Sequence, residues 1–270
     1  MVYENTVRFA EGMARVAKEE AVALRRHLIL VVRRASWKSK STIDRFGGIN
    51  IFEAKIFSQN GEDGIIAGIF AKICSTNKFF VEFGVGGGNE CNTRYLLQFC
   101  RWQGLMMDAA RGRNRHVKHE FINAENINSL LEKYHVPFEF DLLAIDIDGN
   151  DYWVWKALDN KYRPRVVVIE YNAKYEPPDS VAIEYDAHFQ WDQTDYFGAS
   201  LSALAKLAMA KGYTLVGCDS QGVNAFFVNA ADARNHFQTR SVEELYRPPK
   251  FGLPIHNYFH PPSGRSMIGV

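Results

Sequence analysis

"KFFVEFGVGGGNECNTRYLL", residues 78–97, decides the fold of this chain. Its apolar start predicts a strand, its end predicts a helix, and four glycines within five residues lie between them. A glycine has no side chain, so a ligand can approach the main chain closely there. Ligands of open parallel sheets bind beyond the carboxyl ends of the strands, so this stretch predicts a binding site as well as a strand–loop–helix unit.

Helices and strands alternate through most of the chain after Ile51. The predicted strands are residues 79–83, 104–109, 121–122, 140–148, 165–172, 213–219 and 224–230. Unbroken apolar strands are buried on both faces, which favours a mostly parallel sheet between helix layers. A short "SQG" turn joins the last two strands, which must therefore be antiparallel. We predict an α/β fold: a doubly wound, Rossmann-like, mostly parallel sheet of seven strands with the last one antiparallel, and an N-terminal helical extension.

Composition limits the classes of partner. The 270 residues carry a net charge of +1, which gives no reason to expect a nucleic-acid partner. The four cysteines form no CxxC pair and no zinc spacing, so we expect reduced thiols and a cytoplasmic location. The polar N-terminus predicts no signal peptide. The apolar run at Leu28–Val32 is far shorter than the ~20 residues that span a bilayer, so we expect no membrane association.

The chain divides into three predicted regions. Residues 1–45 form a helical extension and linker, residues 46–235 form the α/β domain with a lid insertion at 173–198, and residues 236–270 form a tail. Apolar residues recur every three or four positions in the extension, and the tail is rich in proline and aromatics. We expect the extension or the tail to pack on the domain or on a second subunit in a homo-oligomer. A membrane-surface helix is the alternative, since arginines flank the apolar run of the extension.

Two cofactor classes use a glycine loop after the first strand. The dinucleotide pattern G-x-G-x-x-G fails here, because Asn89 or Cys91 stands where the third glycine belongs. The loop instead has the pattern acid-x-Gly-x-Gly-x-Gly, beginning at Glu82. This pattern resembles the first motif of class I S-adenosylmethionine-dependent methyltransferases. A carboxylate there would favour the sulfonium and amino groups of S-adenosylmethionine, which has no pyrophosphate. A tight turn without a ligand is the structural alternative.

Two further positions support a nucleoside cofactor. Asp108 ends the next strand, where a carboxylate can accept hydrogen bonds from both ribose hydroxyls. Dinucleotide proteins share this feature, so it does not choose between the two classes. The following loop "NAEN", Asn123 to Asn126, either frames the adenine or caps a helix.

The chain resembles the FkbM-like group of class I S-adenosylmethionine-dependent methyltransferases. The similarity is carried in order by "FSQNGEDGIIAGIF", "FFVEFGVGGGNECNT", "WQGLMMDA", "LLAIDIDGNDYWVW" and "GASLSALAKLAMAKGYTLVGCDSQGVNAFFV". It covers about residues 57 to 230. Asp148 departs from the group's "DxEG" segment by replacing its glutamate. The resemblance implies a methyltransferase domain that modifies hydroxyls of sugars or secondary metabolites.

The motifs and the resemblance together give a candidate cofactor site. Its predicted residues are Gln59, Glu62, Glu82, Gly84, Gly86, Asn92, Asp108, Ala124, Glu125 and Asp146. The "SQNGEDG" segment would close the pocket over the glycine loop, unless its acids only cap the helix that follows.

A hydroxyl acceptor needs a general base or a metal that lowers its pKa. Asp146 ends one strand, and Glu170 and Asn172 end the next, which makes an all-oxygen set suited to Mg²⁺ or another divalent cation. One predicted mechanism uses a cation held by these three residues. The other uses no metal, with Asp146 or Asp148 as the base. An Asp/Gly-rich turn that caps the next helix is the structural alternative.

The insertion at 173–198 is too long for an ordinary connection and is rich in aromatics and acids. We interpret it as a lid that faces the substrate. His188 on this lid is a third candidate base, because the ordinary pKa of histidine lies near neutrality.

These observations favour an S-adenosylmethionine-dependent O-methyltransferase that acts on a sugar, a glycosylated metabolite or another small molecule. A nicotinamide-dependent oxidoreductase is one alternative. A non-catalytic assembly subunit with a degenerate methyltransferase fold is the other.

Overall fold

The computed structural model describes residues 20–27, 48–110, 114–250 and 260–270. The strands in these ranges are β1 (Phe79–Phe83), β2 (Gln103–Asp108), β3 (Val117–His119), β4 (Glu139–Ile145), β5 (Arg163–Glu170), β6 (Val181–Ala182), β7 (Tyr213–Cys218), β8 (Asn224–Asn229) and β9 (Ile268–Gly269). The helices are α1 (Glu62–Ile73), α2 (Arg94–Phe99), α3 (Ile127–Lys133), α4 (Asp151–Ala157), α5 (Leu201–Ala210), α6 (Ala230–His236) and α7 (Val242–Leu245). A 3-10 helix at Gly48–Phe52 precedes α1.

Seven strands form the central sheet in the order β3-β2-β1-β4-β5-β8-β7. The first five in chain order are parallel, and β8 runs antiparallel to both β5 and β7. The predicted doubly wound, mostly parallel sheet with its last strand reversed is therefore confirmed. One strand was misplaced: the third strand is Val117–His119, whereas residues 121–122 lie in the loop that follows it.

Two apolar layers cover the sheet. The side chains of β1 point alternately to one face and the other, and so they contribute to both layers. Phe80 packs on the face covered by α1 and α2, and Val81 and Phe83 pack on the face covered by α3, α4 and α5. Successive side chains of a strand point to opposite faces, so an unbroken apolar strand supplies both cores. This sandwich brings the carboxyl ends of β1, β2, β4 and β5 to one edge.

The outer regions are only partly described. Residues 20–27 are helical, with Ala23 buried and the His27 Nδ1 atom 3.0 Å from the Tyr95 hydroxyl. The rest of the predicted extension and linker, residues 1–19 and 28–45, lies outside the described residues, as does tail segment 251–259. None of the described helices combines the length and the apolar character that crossing a bilayer requires.

Candidate active site

A pocket of about 130 Å³ opens at the carboxyl edge of the sheet, beyond β1, β2 and β4. Its lining includes Gly84, Asp108, Ile122, Asp148, Asn150 and Phe189. Two of the lining residues are acids, and none of the described ones is basic. Typical small-molecule sites measure ~300–1,000 Å³, so this arrangement admits part of a nucleoside.

The glycine loop has one glycine for packing and one for access. A Cβ on Gly84 would lie 1.4 Å from the carbonyl oxygen of Asp146, so only glycine lets β1 end against the chain after β4. A Cβ on Gly86 would meet nothing within 4 Å. Both residues have left-handed φ angles, of +74° and +53°. Gly86 therefore exposes main chain to open space, as close approach of a ligand requires.

Glu82 has a structural role that the sequence did not predict. Its buried carboxylate accepts hydrogen bonds from the N–H groups of Asn92 (2.7 Å) and Thr93 (3.0 Å) and from the Thr93 hydroxyl. These groups lie at the start of α2, where dinucleotide folds bind pyrophosphate. Glu82 therefore stabilises the loop, with the main chain of Asn92 as one of its partners. The cofactor-binding roles of both residues stay predictions.

Asp108 forms the opposite wall of the pocket. Its Oδ2 accepts a hydrogen bond from the N–H of Gly86, and its Oδ1 accepts one from Ala110, both at 2.6 Å. Each carboxylate oxygen still has a free lone pair. The structure thus places Asp108 against the glycine loop with acceptor capacity left for vicinal hydroxyls.

The lid contacts the loop that was predicted to frame adenine. The Tyr185 hydroxyl accepts a hydrogen bond from the Ala124 N–H at 3.3 Å and donates one to the Glu125 carboxylate. Asn123 accepts from the N–H of Asn126 just before α3, as a capping residue would. In this arrangement the Tyr185 hydroxyl occupies the Ala124 N–H and the Glu125 carboxylate, which belong to the loop predicted to frame adenine.

The residues of the "SQNGEDG" segment differ in position, and none of them belongs to the lining of the pocket. Gln59 is exposed and Glu62 is buried, with Glu62 bonded to Asn60 and Asn224. Asp63 accepts hydrogen bonds from three consecutive N–H groups, those of residues 56–58. Asp63 thus orders the segment internally, and Glu62 joins it to the start of β8.

Strand-end carboxylates meet next to the pocket. Asp146, Asp148 and Glu170 each offer an oxygen within 4.8 Å of the others. Ile145 pairs with Ile169, so Asp146 and Glu170 are level on neighbouring strands, as the sequence predicted. Asp148 has a left-handed φ of 55°. We call these three residues the acid group.

The acid group concentrates negative charge. Burial, followed by the charges of Asp148 and Asp151, raises the pKa of Asp146 well above its usual value. Burial and then Asp146 do the same to the pKa of Glu170. Burial and Asp151 raise the pKa of Asp148 to about 6. A cation at this position would relieve both the burial cost and the repulsion.

Two predicted site residues have other positions. The Asn172 amide donates to the carbonyl oxygens of Asp195 and Phe197, both at 3.0 Å, and its Oδ1 accepts from the Lys174 N–H. Asn172 therefore anchors the lid. The carboxylates that meet among the described residues are those of Asp146, Asp148 and Glu170. His188 is an exposed lid residue.

Sequence reasoning missed three residues at the site. Phe189 lies against Gly149, where an added Cβ would be 2.3 Å from its ring. Asn150 lines the pocket with a buried Oδ1 that has no hydrogen-bond partner among the described residues. Asn224 starts β8 opposite Glu170. The sequence could have indicated Asn224, because it is a polar residue at the first position of the predicted antiparallel strand.

The C-terminal tail packs on the lid. β9 pairs with β6 of the lid, and the guanidinium of Arg265 lies 3.8 Å from the centre of the Tyr196 ring. Asp195 accepts a hydrogen bond from the N–H of Ser263 at 2.9 Å. The described part of the tail therefore supports the wall of the pocket that contains Phe189.

No family model matches this chain, and no curated protein matches it in sequence. It is similar in structure to an S-adenosylmethionine-dependent methyltransferase from Clostridium acetobutylicum, with 9% identity and a TM-score of 0.39, over 63% of this chain and 92% of that one. It is also similar to the CurJ carbon methyltransferase, with 10% identity and a TM-score of 0.39, over 67% of this chain and 56% of that one. These values are too low to assign a family. The fold assignment rests on the strand order, and the FkbM-like resemblance stays a prediction.

Proposed function

We propose that this chain is an S-adenosylmethionine-dependent O-methyltransferase that acts on a sugar, a glycosylated metabolite or another small molecule. One observation carries the proposal: acids line the pocket at the carboxyl edge of the sheet, which favours a cationic ligand. The described lining of the pocket has acids and no base, and Glu82 already takes the N–H groups at the start of α2. The acids and the carboxylate of Glu82 would repel a pyrophosphate, whereas they favour a sulfonium.

The proposed cofactor position follows from the loop geometry. Gly86 leaves open space that would admit the methionine and ribose portions, and Asp108 beside it would accept hydrogen bonds from the ribose hydroxyls. The apolar residues Ile122 and Phe189 would pack on the adenine. The acid group would then lie on the side of the sulfonium and the amino group.

Methyl transfer is an in-line displacement that depends on positioning and on excluding water. Bound S-adenosylmethionine would supply an electrophilic methyl group to an acceptor hydroxyl and would leave as S-adenosylhomocysteine. A carboxylate of the acid group would take up the hydroxyl proton. The lid and the acid group border the space from which an acceptor would approach. That placement supports a polar, hydroxyl-bearing substrate.

The test is calorimetric titration of the full chain with S-adenosylhomocysteine. We expect binding, and we expect Asp108→Asn to weaken it by ~10- to 100-fold, the effect of losing ~1.5–3 kcal/mol of charged hydrogen bonding. Glu139→Gln is the matched control, because this exposed acid lies at the opposite end of the parallel strands. Binding of NADH in place of the nucleoside product would support the oxidoreductase, and binding of neither would support the assembly subunit.

A further inference from the structure

Three neighbouring strands place oxygen-bearing side chains in one row. Asp146 follows β4, Glu170 ends β5, and Asn224 starts β8. Asp146 is level with Glu170, and Glu170 pairs directly with Asn224. Directly opposite residues lie on the same face of a sheet, with Cβ atoms ~4.5–5.5 Å apart. The row therefore extends the acid group by one side chain from the reversed strand.

The amide of Asn224 has a determined orientation. Its Nδ2 lies 3.0 Å from Oε1 of Glu62, and an ionised carboxylate only accepts hydrogen bonds. The amide nitrogen must therefore face Glu62, and Oδ1 must face away from it. Asn224 is only 3% exposed, and its Oδ1 has no hydrogen-bond partner among the described residues.

Glu170 has a matching unpaired oxygen. Its Oε2 is buried and also lacks a partner within the described ranges. Buried polar atoms are nearly always paired, because leaving one unpaired costs ~1–3 kcal/mol. Two buried acceptors without partners, on residues that pair across β5 and β8, leave a position that a cation would satisfy.

We propose that Asp146, Asp148, Glu170 and Asn224 bind one divalent cation of the oxygen-preferring class, Mg²⁺ or Ca²⁺. Oxygens that share such a cation at ~2.0–2.6 Å can be at most about 5 Å apart, and the carboxylate oxygens of the acid group lie within 4.8 Å of one another. Three carboxylates and an amide oxygen are hard ligands that suit these ions. Glu62 is a positioning residue, since it orients the Asn224 amide. This set replaces Asn172 of the predicted metal site by Asn224 and adds Asp148.

Cation binding goes beyond the proposed methyl transfer. Use of the cation to lower the pKa of an acceptor hydroxyl rests on that proposed function. The two proposals can fail separately, because the cation can be titrated without a nucleoside and the nucleoside without a cation.

The experiment is calorimetric titration of the chelator-treated full chain with MgCl₂, CaCl₂ and MnCl₂, without nucleoside. We expect one site, and we expect Glu170→Gln to weaken it by at least ~10-fold, the lower end of the effect of altering a metal site. Glu139→Gln should bind as the natural chain does. No binding by folded protein up to ~10 mM, above the weakest Ca²⁺ sites of ~1 mM, would overturn the proposal.

A second variant tests Asn224 without removing its volume. Asn224→Asp adds a charged ligand, so the cation should bind at least as tightly as in the natural chain. In chelator the variant should unfold at a lower temperature than the natural chain, because it adds a charge beside Glu62, and added cation should restore its stability. Destabilisation that no cation relieves would overturn the role of Asn224 as a ligand.

Discussion

The two carboxylates that flank the glycine loop have different partners, although a sequence shows both as strand-end acids. Glu82 is buried and accepts three hydrogen bonds from residues 92 and 93. Asp108 accepts one main-chain hydrogen bond on each oxygen and faces the pocket. A carboxylate beside a glycine loop can thus have a structural role. Its hydrogen-bond partners, and not its position in the sequence, show which role it has.

The two key glycines of the loop should respond differently to alanine. Gly84→Ala should cost ~3 kcal/mol or more of stability, because its Cβ would overlap the Asp146 carbonyl as well as strain φ. Gly86→Ala should cost only ~1–2 kcal/mol for the left-handed φ, yet it should abolish binding of S-adenosylhomocysteine. Denaturant unfolding and calorimetric titration measure the two effects. Equal stability losses, or full binding by Gly86→Ala, would contradict this assignment.

At the scale of elements, the lid joins parts of the chain that are distant in sequence. Residues 173–198 contact the Asn123–Glu125 loop on one side and the tail on the other. The lid strand β6 pairs with β9 of the tail, not with the central sheet. Motion of the lid should therefore involve the tail and the adenine-side loop together.

Tyr185→Phe tests the contact between the lid and this loop. The Tyr185 hydroxyl holds the Ala124 N–H and the Glu125 carboxylate, the groups predicted for the adenine. Removing the hydroxyl frees both, so affinity for S-adenosylhomocysteine should rise by up to ~10-fold, since a net hydrogen bond contributes ~0.5–1.5 kcal/mol. Hydrogen exchange in the lid should also become faster. A lower affinity would show that Tyr185 contributes to the bound state instead of competing with it.

At the scale of the whole molecule, the carboxyl edge of the sheet carries many buried acids. Burial raises the pKa of Glu82 to about 7 and that of Asp63 to about 6. In an unfolded chain these groups titrate near pH ~4. Between these values the folded chain binds protons that the unfolded chain does not, so the free energy of unfolding should increase as the pH falls.

The expected result is a melting temperature that rises as the pH is lowered from ~8 to ~5, the interval that contains the raised pKa values. Differential scanning calorimetry across this interval measures it, in chelator and without nucleoside. Glu82→Gln should reduce the slope, and the exposed Glu139→Gln should not. A melting temperature that falls towards pH 5 would show that these carboxylates are stabilised as anions by their donors.

The sequence predicted the sheet well because apolar strands and glycine loops are local signals. It predicted that Asp146 and Glu170 lie level, since parallel strands share their carboxyl edge. It missed Asn224, which reaches Glu170 only through the pairing of a reversed strand. It also did not predict the hydrogen bonds of Asn172, because nothing in the local pattern shows that carbonyl oxygens of the lid will accept from its amide. Both contacts depend on residues that are distant in sequence, through strand pairing in one case and lid packing in the other, and no local sequence pattern contains that information.

The carboxylate of Glu82 has a consequence for protein engineering. A designer who wished to convert this fold to a phosphate-bearing coenzyme would begin by restoring the missing glycine at position 89 or 91. That change would fail by itself, because the Glu82 carboxylate already accepts hydrogen bonds from the N–H groups just before α2 and would repel a diphosphate there. Replacing Glu82 would free these N–H groups, but it would also remove the hydrogen bonds that stabilise the loop before α2. Coenzyme preference here is thus tied to the integrity of the scaffold.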